Sequence, residues 1–295
     1  MVYLFVVSLI WAFSFGLIKG NLTNLDPNFV SWARMAISVI IFLPLLRLKK
    51  TGWRLRFQLT LTGMVQYGVM YISYIYSFQY LKAYQVALFT IFTPIYVTLI
   101  NDYLKGRFNR LNLLTALMAV IGTGIVVYQN IFVSRFILGF FIVQISNLCF
   151  AFGQIYYKHL LEKNPEVKDQ SVFGLLFLGA FLITSLSSGI FTDWSALRLS
   201  LTQIWTLLYL GALASGICFF LWNYGARRVE AGTLAVFNDL KVPLAIFVSI
   251  VFFGEKGNIL LLLLGGSVVM ASLYISEFVP LPFFRRLAKT DEARS

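Results

Sequence analysis

Long apolar runs separated by short polar stretches make up nearly the whole chain. Ten of them, at roughly 2–18, 28–46, 57–80, 84–103, 111–128, 136–157, 171–191, 203–226, 231–253 and 258–278, are long enough to cross a bilayer as helices. A crossing takes ~20 mainly apolar residues. The connections are short, and no soluble domain or long linker can be placed between the runs. Residues 281–295 read as a polar tail. The run from Val2 to Ile18 lacks a basic leader and a small-residue cleavage site, so it is expected to be a retained helix and not a signal peptide. The expected fold is all-α, a polytopic membrane protein.

The polar positions inside the runs are few. The costliest stretch is Phe237-Asn238-Asp239-Leu240-Lys241-Val242-Pro243 in the ninth run. A charge at membrane depth costs roughly 2.5–3.5 kcal/mol on insertion scales, and such groups face a cavity or a partner. Pro243 removes a backbone donor and predicts a kink. The segment reads either as part of a substrate path or as a structural Asp239–Lys241 pair between helices. The two residues are two positions apart, ~200° around a straight helix, so only a kink lets both face one cavity. Asn238 shares a face with Lys241. Arg34, in the second run, is either a bidentate carboxylate anchor or a structural cation paired with Asp239, Asp102 or a helix end. In the sixth run, Gln144, Asn147, Ala151 and Gln154 fall on one helical face, which suits interhelical hydrogen bonds or substrate contact. The third run carries an aromatic stripe, Tyr67, Tyr71, Tyr74 and Phe78, more typical of packing or lipid contact; of these Tyr74 is kept as a cavity candidate.

Composition agrees with the class: 59% hydrophobic, 12% charged, 17% aromatic, mean hydropathy +0.80. A net charge of +12 would suggest nucleic acid in a soluble protein. Here the cations lie mostly in loops and set orientation. With the N-terminus inside, the outer connections hold five of the 24 Lys and Arg, namely Lys19, Lys82, Arg135, Arg198 and Lys256. All others except the intramembrane Arg34 and Lys241 fall inside, which predicts cytoplasmic N- and C-termini. No nucleic-acid partner and no cofactor are expected. Cys149 and Cys218 carry no disulfide or zinc spacing. His159 is expected in an inner loop with no partner ligand. Trp32, Trp53 and Trp205 read as interface anchors. Gly122-x-Gly124 and Gly265-Gly266 suit close helix packing or a homodimer contact.

Two stretches repeat. Trp11-Ala-Phe-Ser-Phe-Gly-Leu-Ile-Lys19 parallels Phe150-Ala-Phe-Gly-Gln-Ile-Tyr-Tyr-Lys158, and Tyr76, Ala83, Ala87 and Phe89 align at one offset with Tyr224, Ala231, Ala235 and Phe237. Each half has an odd number of helices, so the second should lie inverted in the membrane. The expected architecture is two inverted five-helix repeats, residues 1–130 and 131–280, followed by the tail. Inverted repeats with a site at their interface are the common plan of secondary transporters. The charged pair has no match in the first half, where Ile91 and Thr93 stand, so any site is expected to be asymmetric.

The chain resembles a ten-helix member of the drug/metabolite transporter superfamily, of the EamA type, over essentially residues 1–280. Carrying the resemblance are Trp11 with Ser14, Pro27 with Arg34, Tyr76 through Ala83, Trp222-Asn-Tyr-Gly-Ala226, and Phe253-Gly-Glu255. The first half departs from the pattern at Asp102-Tyr-Leu-Lys-Gly106, which lacks the Gly-Glu pair. The Asn-Asp-Leu-Lys-Val-Pro segment is most similar to members labelled carboxylate, amino-acid or amine transporters. The resemblance implies a bacterial inner-membrane carrier, often an exporter, with a cavity lined by the first, third, fourth, sixth, eighth and ninth helices. By family position it adds Trp11, Thr90, Trp222 and Asn223 to the cavity candidates.

The expected function is therefore secondary transport of a small metabolite such as an amino acid, carboxylate or amine, by alternating access. Proton coupling and exchange both stay open. No Gly-x-x-x-x-Gly-Lys loop exists for ATP coupling. An intramembrane enzyme would need paired acids or a His-Glu-x-x-His helix, and neither is present. A drug or nucleotide-sugar carrier, and a non-transporting receptor or assembly protein, are the alternatives. A nucleotide sugar would want more intramembrane cations, and a receptor has no need of two-sided symmetry. If Asp239 carries a coupling proton, Asp239→Asn abolishes the pH dependence of transport in proteoliposomes; an unchanged pH profile rejects that role.

Overall fold

A computed structural model describes residues 2–106, 134–229 and 259–278, together with positions 118, 121, 234, 237, 238, 242, 245, 248 and 251–254. Most of the fifth apolar run, Asp239, Lys241, Pro243 and the 281–295 tail lie outside the described residues. Among the described residues all regular structure is helical. Helix α1 (Val2–Leu17) continues through a π turn (Ile18–Leu22), and α2 is Pro27–Phe42. Helix α3 joins Trp53–Gly63, a π segment Met64–Val69 and Met70–Ser77. Helix α4 joins Ala83–Phe89, a 3-10 turn Thr90–Phe92 and Thr93–Leu104. Then come α5 (Ser134–Glu162) and α6 (Asp169–Phe191). Helix α7 joins Leu201–Leu208, a π segment Tyr209–Ile217 and Cys218–Ala226, and α8 is Ile259–Phe278.

Six of these units, α1, α2 and α4 to α7, are long and apolar enough to cross a membrane. Helix α3 is as long, but it opens on Arg54, Arg56 and Gln58 and buries Gln66. The outward faces are apolar: Phe141, Ile145 and Leu148 on α5, and Leu182, Leu186 and Ile190 on α6, are all exposed. In water such stripes would be a large uncovered patch; lipid covers them here. The protein is an all-helical, multi-pass membrane protein.

Helix ends follow local chemistry. Asp26 caps α2, accepting Phe29 N–H at 3.0 Å ahead of Pro27, whose missing N–H costs nothing at a first turn. Ser200 and Gln203 form a capping box at the start of α7. Gly106 ends α4 with φ +62°. His159 lies in the last turn of α5, not in a loop, because that helix runs on to Glu162. Trp32 is half-buried and packs against Phe29, Phe181 and Trp194, while Trp53 and Trp205 stay exposed.

Two lysines at the ends of α1 and α5 act alike. Lys19 Nζ donates to Phe78 O at 2.7 Å just past α3, and Lys158 Nζ donates to Val229 O at 2.8 Å just past α7. An ammonium placed on the last carbonyls of a helix satisfies orphan acceptors and complements the helix dipole. At the other end of α1, Tyr3 packs edge-on against Tyr224 near the end of α7, with ring centroids 5.3 Å apart. Beside Lys158, Asp169 accepts from Tyr157 at 2.8 Å and from Arg227 at 2.6 Å, tying α5, α6 and α7 together.

Helices α3 and α6 cross with backbones nearly touching. A Cβ added at Gly63 would overlap the Leu176 backbone, and one at Gly179 would overlap the Thr60 carbonyl. Overpacking a tight contact costs about 1–3 kcal/mol. Gly63→Ala should therefore lower the thermal unfolding midpoint of purified protein clearly, whereas Gly189→Ala, with open space at its Cβ, should leave it unchanged.

Candidate functional site

A cavity of about 550 Å³ lies between α1, α2, α3, α4, α5 and α7. It gathers five of the expected residues, Trp11, Arg34, Tyr74, Thr90 and Asn147, in one lining. Helix α2 thus contributes a wall that the family pattern did not assign to it. Trp222, Asn223 and Asn238 do not line the cavity; each is fully buried away from it. Asp239 and Lys241 lie outside the described residues. Thr93, the counterpart of Lys241 at the repeat offset, is itself in the lining.

Arg34 is 2% exposed and belongs to a directional relay. Its Nη2 donates to Tyr71 OH at 2.6 Å and its Nε to Ser215 Oγ at 3.1 Å. Ser215 donates its own proton to Leu210 O at 2.7 Å, so at 3.0 Å it accepts from Tyr71. That carbonyl lies five residues back, within the π segment of α7. The guanidinium carbon also stands 4.3 Å from the Tyr71 ring centroid, a cation–π contact. Nη1 has no hydrogen-bond partner. Arginine stays charged in proteins, so this is a held cation with one donor unspent. Among the described residues no carboxylate forms a salt bridge with it; Asp239, one of the expected partners, lies outside the described residues.

The aromatic stripe of α3 faces inward, not toward lipid: Tyr67, Tyr71 and Phe78 are buried and Tyr74 lines the cavity. Tyr71 was legible only as one member of that stripe. Ser215 gave no signal, being a single hydroxyl in an apolar run that the π register turns toward Arg34.

Across the cavity, Pro94 shapes the opposite wall. It offers no N–H to Thr90 O, which instead takes Thr93 N–H, three residues on, in the 3-10 turn. Phe89 O is thereby released from its helical partner, and Asn147 Nδ2 donates to it at 2.7 Å. The same amide nitrogen donates to Gln144 Oε1 at 3.1 Å, which also accepts Tyr96 OH at 3.2 Å. The polar stripe of α5 therefore does point into the protein.

Beyond the cavity an aromatic cluster closes the space. Trp11 packs on Phe150, Phe219 and Trp222 with centroids 5.9, 5.2 and 4.9 Å away, and its Nε1 donates to Ala214 O at 2.8 Å. Behind it, Trp222 Nε1 and Asn238 Nδ2 both donate to Gln154 Oε1, at 2.9 and 3.4 Å. Gln66 and Asn223 exchange two hydrogen bonds, of 3.0 and 3.3 Å, between α3 and α7. These groups form a buried amide layer in which Gln66 and Asn223 satisfy one another, while Gln154 Nε2 and Asn238 Oδ1 have no hydrogen-bond partner among the described residues. Asn223→Leu should destabilise the protein by about 1–3 kcal/mol by orphaning Gln66. Adding Gln66→Leu should recover most of that loss in the same thermal melts, since both polar partners are then gone.

The family model described as "EamA-like transporter family" matches residues 1–128 and 137–277. The chain is 37% identical over 279 residues to a "Probable biotin transporter" of Pseudomonas aeruginosa, covering 94% of this chain and 97% of that protein. It is 34% identical over 277 residues to each "Biotin transporter" of Salmonella typhimurium and Escherichia coli K12, covering 93% of this chain and 92% of theirs. A solved structure at 15% identity has the same fold, with TM-score 0.71 over 95% of this chain and 98% of that one. The substrate in the relatives' names is a small metabolite, so the expectation of amino-acid transport gains no support from them. This chain belongs to the EamA-like transporter family, within the drug/metabolite transporter superfamily: it is a membrane transporter and not an enzyme.

Proposed function

We propose that this protein is a secondary carrier of biotin in the bacterial inner membrane, with the cavity beside Arg34 as its transport site and both termini cytoplasmic. The observation that carries the reading is the unspent Nη1 donor of a buried, charged Arg34 in an aromatic-walled cavity. Biotin ends in a carboxylate at neutral pH and carries an apolar chain and fused rings. A guanidinium suits the first, and Trp11, Phe15, Phe150 and Phe219 suit the second. The relatives' names supply the substrate.

Alternating access around two inverted five-helix repeats, 1–130 and 131–280, is the transport mode of this reading. Three features support it. The π segments of α3 and α7 match at the offset relating Tyr76 to Tyr224. Lys19 and Lys158 cap the two ends in the same way. The ends of α3 and α7 meet opposite ends of α1, at Lys19 and at Tyr3, as antiparallel counterparts would. The aromatic cluster and amide layer then serve as the closed side of the site, and opening that side requires Gln66 and Asn223 to separate.

Biotin at a hundredfold excess over its Kd should stabilise the purified protein by about 2.7 kcal/mol. Arg34→Gln should weaken binding about 10–100-fold, the worth of one hydrogen bond to a charged group. Saturating biotin that leaves the melting midpoint unmoved rejects the substrate.

A further inference from the structure

We infer that the cavity recognises its ligand at both ends: Arg34 takes an anionic terminus, and the α4–α5 wall takes a neutral, urea-like head that donates N–H groups to Asn147 Oδ1 and exchanges hydrogen bonds with the hydroxyls of Thr93 and Ser146. The inference rests on the biotin reading above and adds to it which end of the ligand lies where.

Two observations carry it. First, Phe89 O and Gln144 Oε1 are both acceptors, so the Asn147 nitrogen must face them. That assignment is dictated by chemistry, and it leaves Oδ1 as the amide atom on the lining side, a pure acceptor. Second, the hydroxyls of Thr93 and Ser146 behave unlike their neighbours. Ser31, Ser38, Thr98, Thr184 and Thr206 all fold back onto a carbonyl four residues earlier, the usual fate of a hydroxyl in an apolar helix. Thr93 and Ser146 make no hydrogen bond among the described residues, although they are only 1% and 4% exposed and both line the cavity.

The two ends are set apart by the packing. Arg34 stands on α2, which packs on α3, α6 and the π segment of α7. Thr93, Ser146 and Asn147 stand on α4 and α5, which pack on one another. The lining also carries the uncharged rings of Trp11, Phe15, Phe150 and Phe219. Anion at one wall, apolar body, N–H donors flanking a carbonyl at the other: that order is the order of biotin's carboxylate, chain and ureido ring. A zwitterionic amino acid would place two charges at one end and leave the hydroxyl wall without a partner.

The test is equilibrium binding of three ligands to the purified full-length chain: biotin, its carboxamide, and biotin methylated on a ureido nitrogen. Thr93→Val with Ser146→Ala removes only hydroxyl groups that hold no other element together. In that variant the preference for biotin over the N-methyl compound should fall about tenfold, while its preference over the carboxamide stays as in the wild type. Arg34→Gln should do the reverse. If Thr93→Val with Ser146→Ala keeps the full ureido preference, the assigned orientation is wrong although biotin binding stands. If the wild type binds no biotin, both this inference and the proposed function fall.

Discussion

A guanidinium inside an apolar bundle is stable only if its donors are met, and the way Arg34 is met organises the middle of this protein. Two other helices converge to hold it. Tyr71 from α3 accepts one nitrogen, Ser215 from α7 accepts another and also the Tyr71 proton, and Leu210 O ends the relay. The relay has a single direction, since each hydroxyl both accepts and donates. It requires the π segment of α7, because only that register places an acceptor five residues behind Ser215. Two nitrogens of Arg34 are held by this relay, and the third, Nη1, has no hydrogen-bond partner among the described residues. Structural and binding roles are therefore not alternatives at Arg34; different atoms of one side chain can serve each.

The opposite wall follows from a different backbone irregularity. Pro94 changes the hydrogen-bond register of α4 for one turn, and the released Phe89 carbonyl fixes Asn147. Both walls of the cavity are thus built where a helix departs from ideal geometry: a π segment on one side, a 3-10 turn on the other. Each departure frees backbone or side-chain groups that a regular helix would consume. Elsewhere in the bundle many such groups are consumed, by hydroxyls folding back, by lysines on helix ends and by the Gln66–Asn223 pair.

The buried amide layer also explains why Trp222, Asn223 and Asn238 are not in the cavity lining. They spend their hydrogen bonds on Gln154 and Gln66, which come from the other half of the chain or from α5. The layer is polar, so it can re-form with different partners, whereas the glycine crossing of α3 and α6 is backbone against backbone. The proposed motion then has a natural division: the crossing stays, and the amide layer opens.

Much of this was written in the chain itself. Apolar runs of crossing length required a helical membrane protein, because no other open structure satisfies its backbone in lipid. The repeat of Trp11–Lys19 at Phe150–Lys158 and the isolated Arg34 pointed to a carrier with a buried cation. Arg34, Tyr74 and Asn147 stand out in one dimension as polar or ring-bearing residues at a fixed helical phase, Trp11 and Thr90 enter by family position, and all five line the cavity. Periodicity cannot show which helix a face meets. For that reason Tyr71 reads as packing in the sequence and Ser215 and Ser146 give no signal there, while Trp222, a candidate by family position, is not in the lining. Helix phase is local and legible; the register of a π segment and the identity of the partner across a helix contact depend on packing between residues as distant as Arg34 and Ser215, and only the tertiary structure decided them.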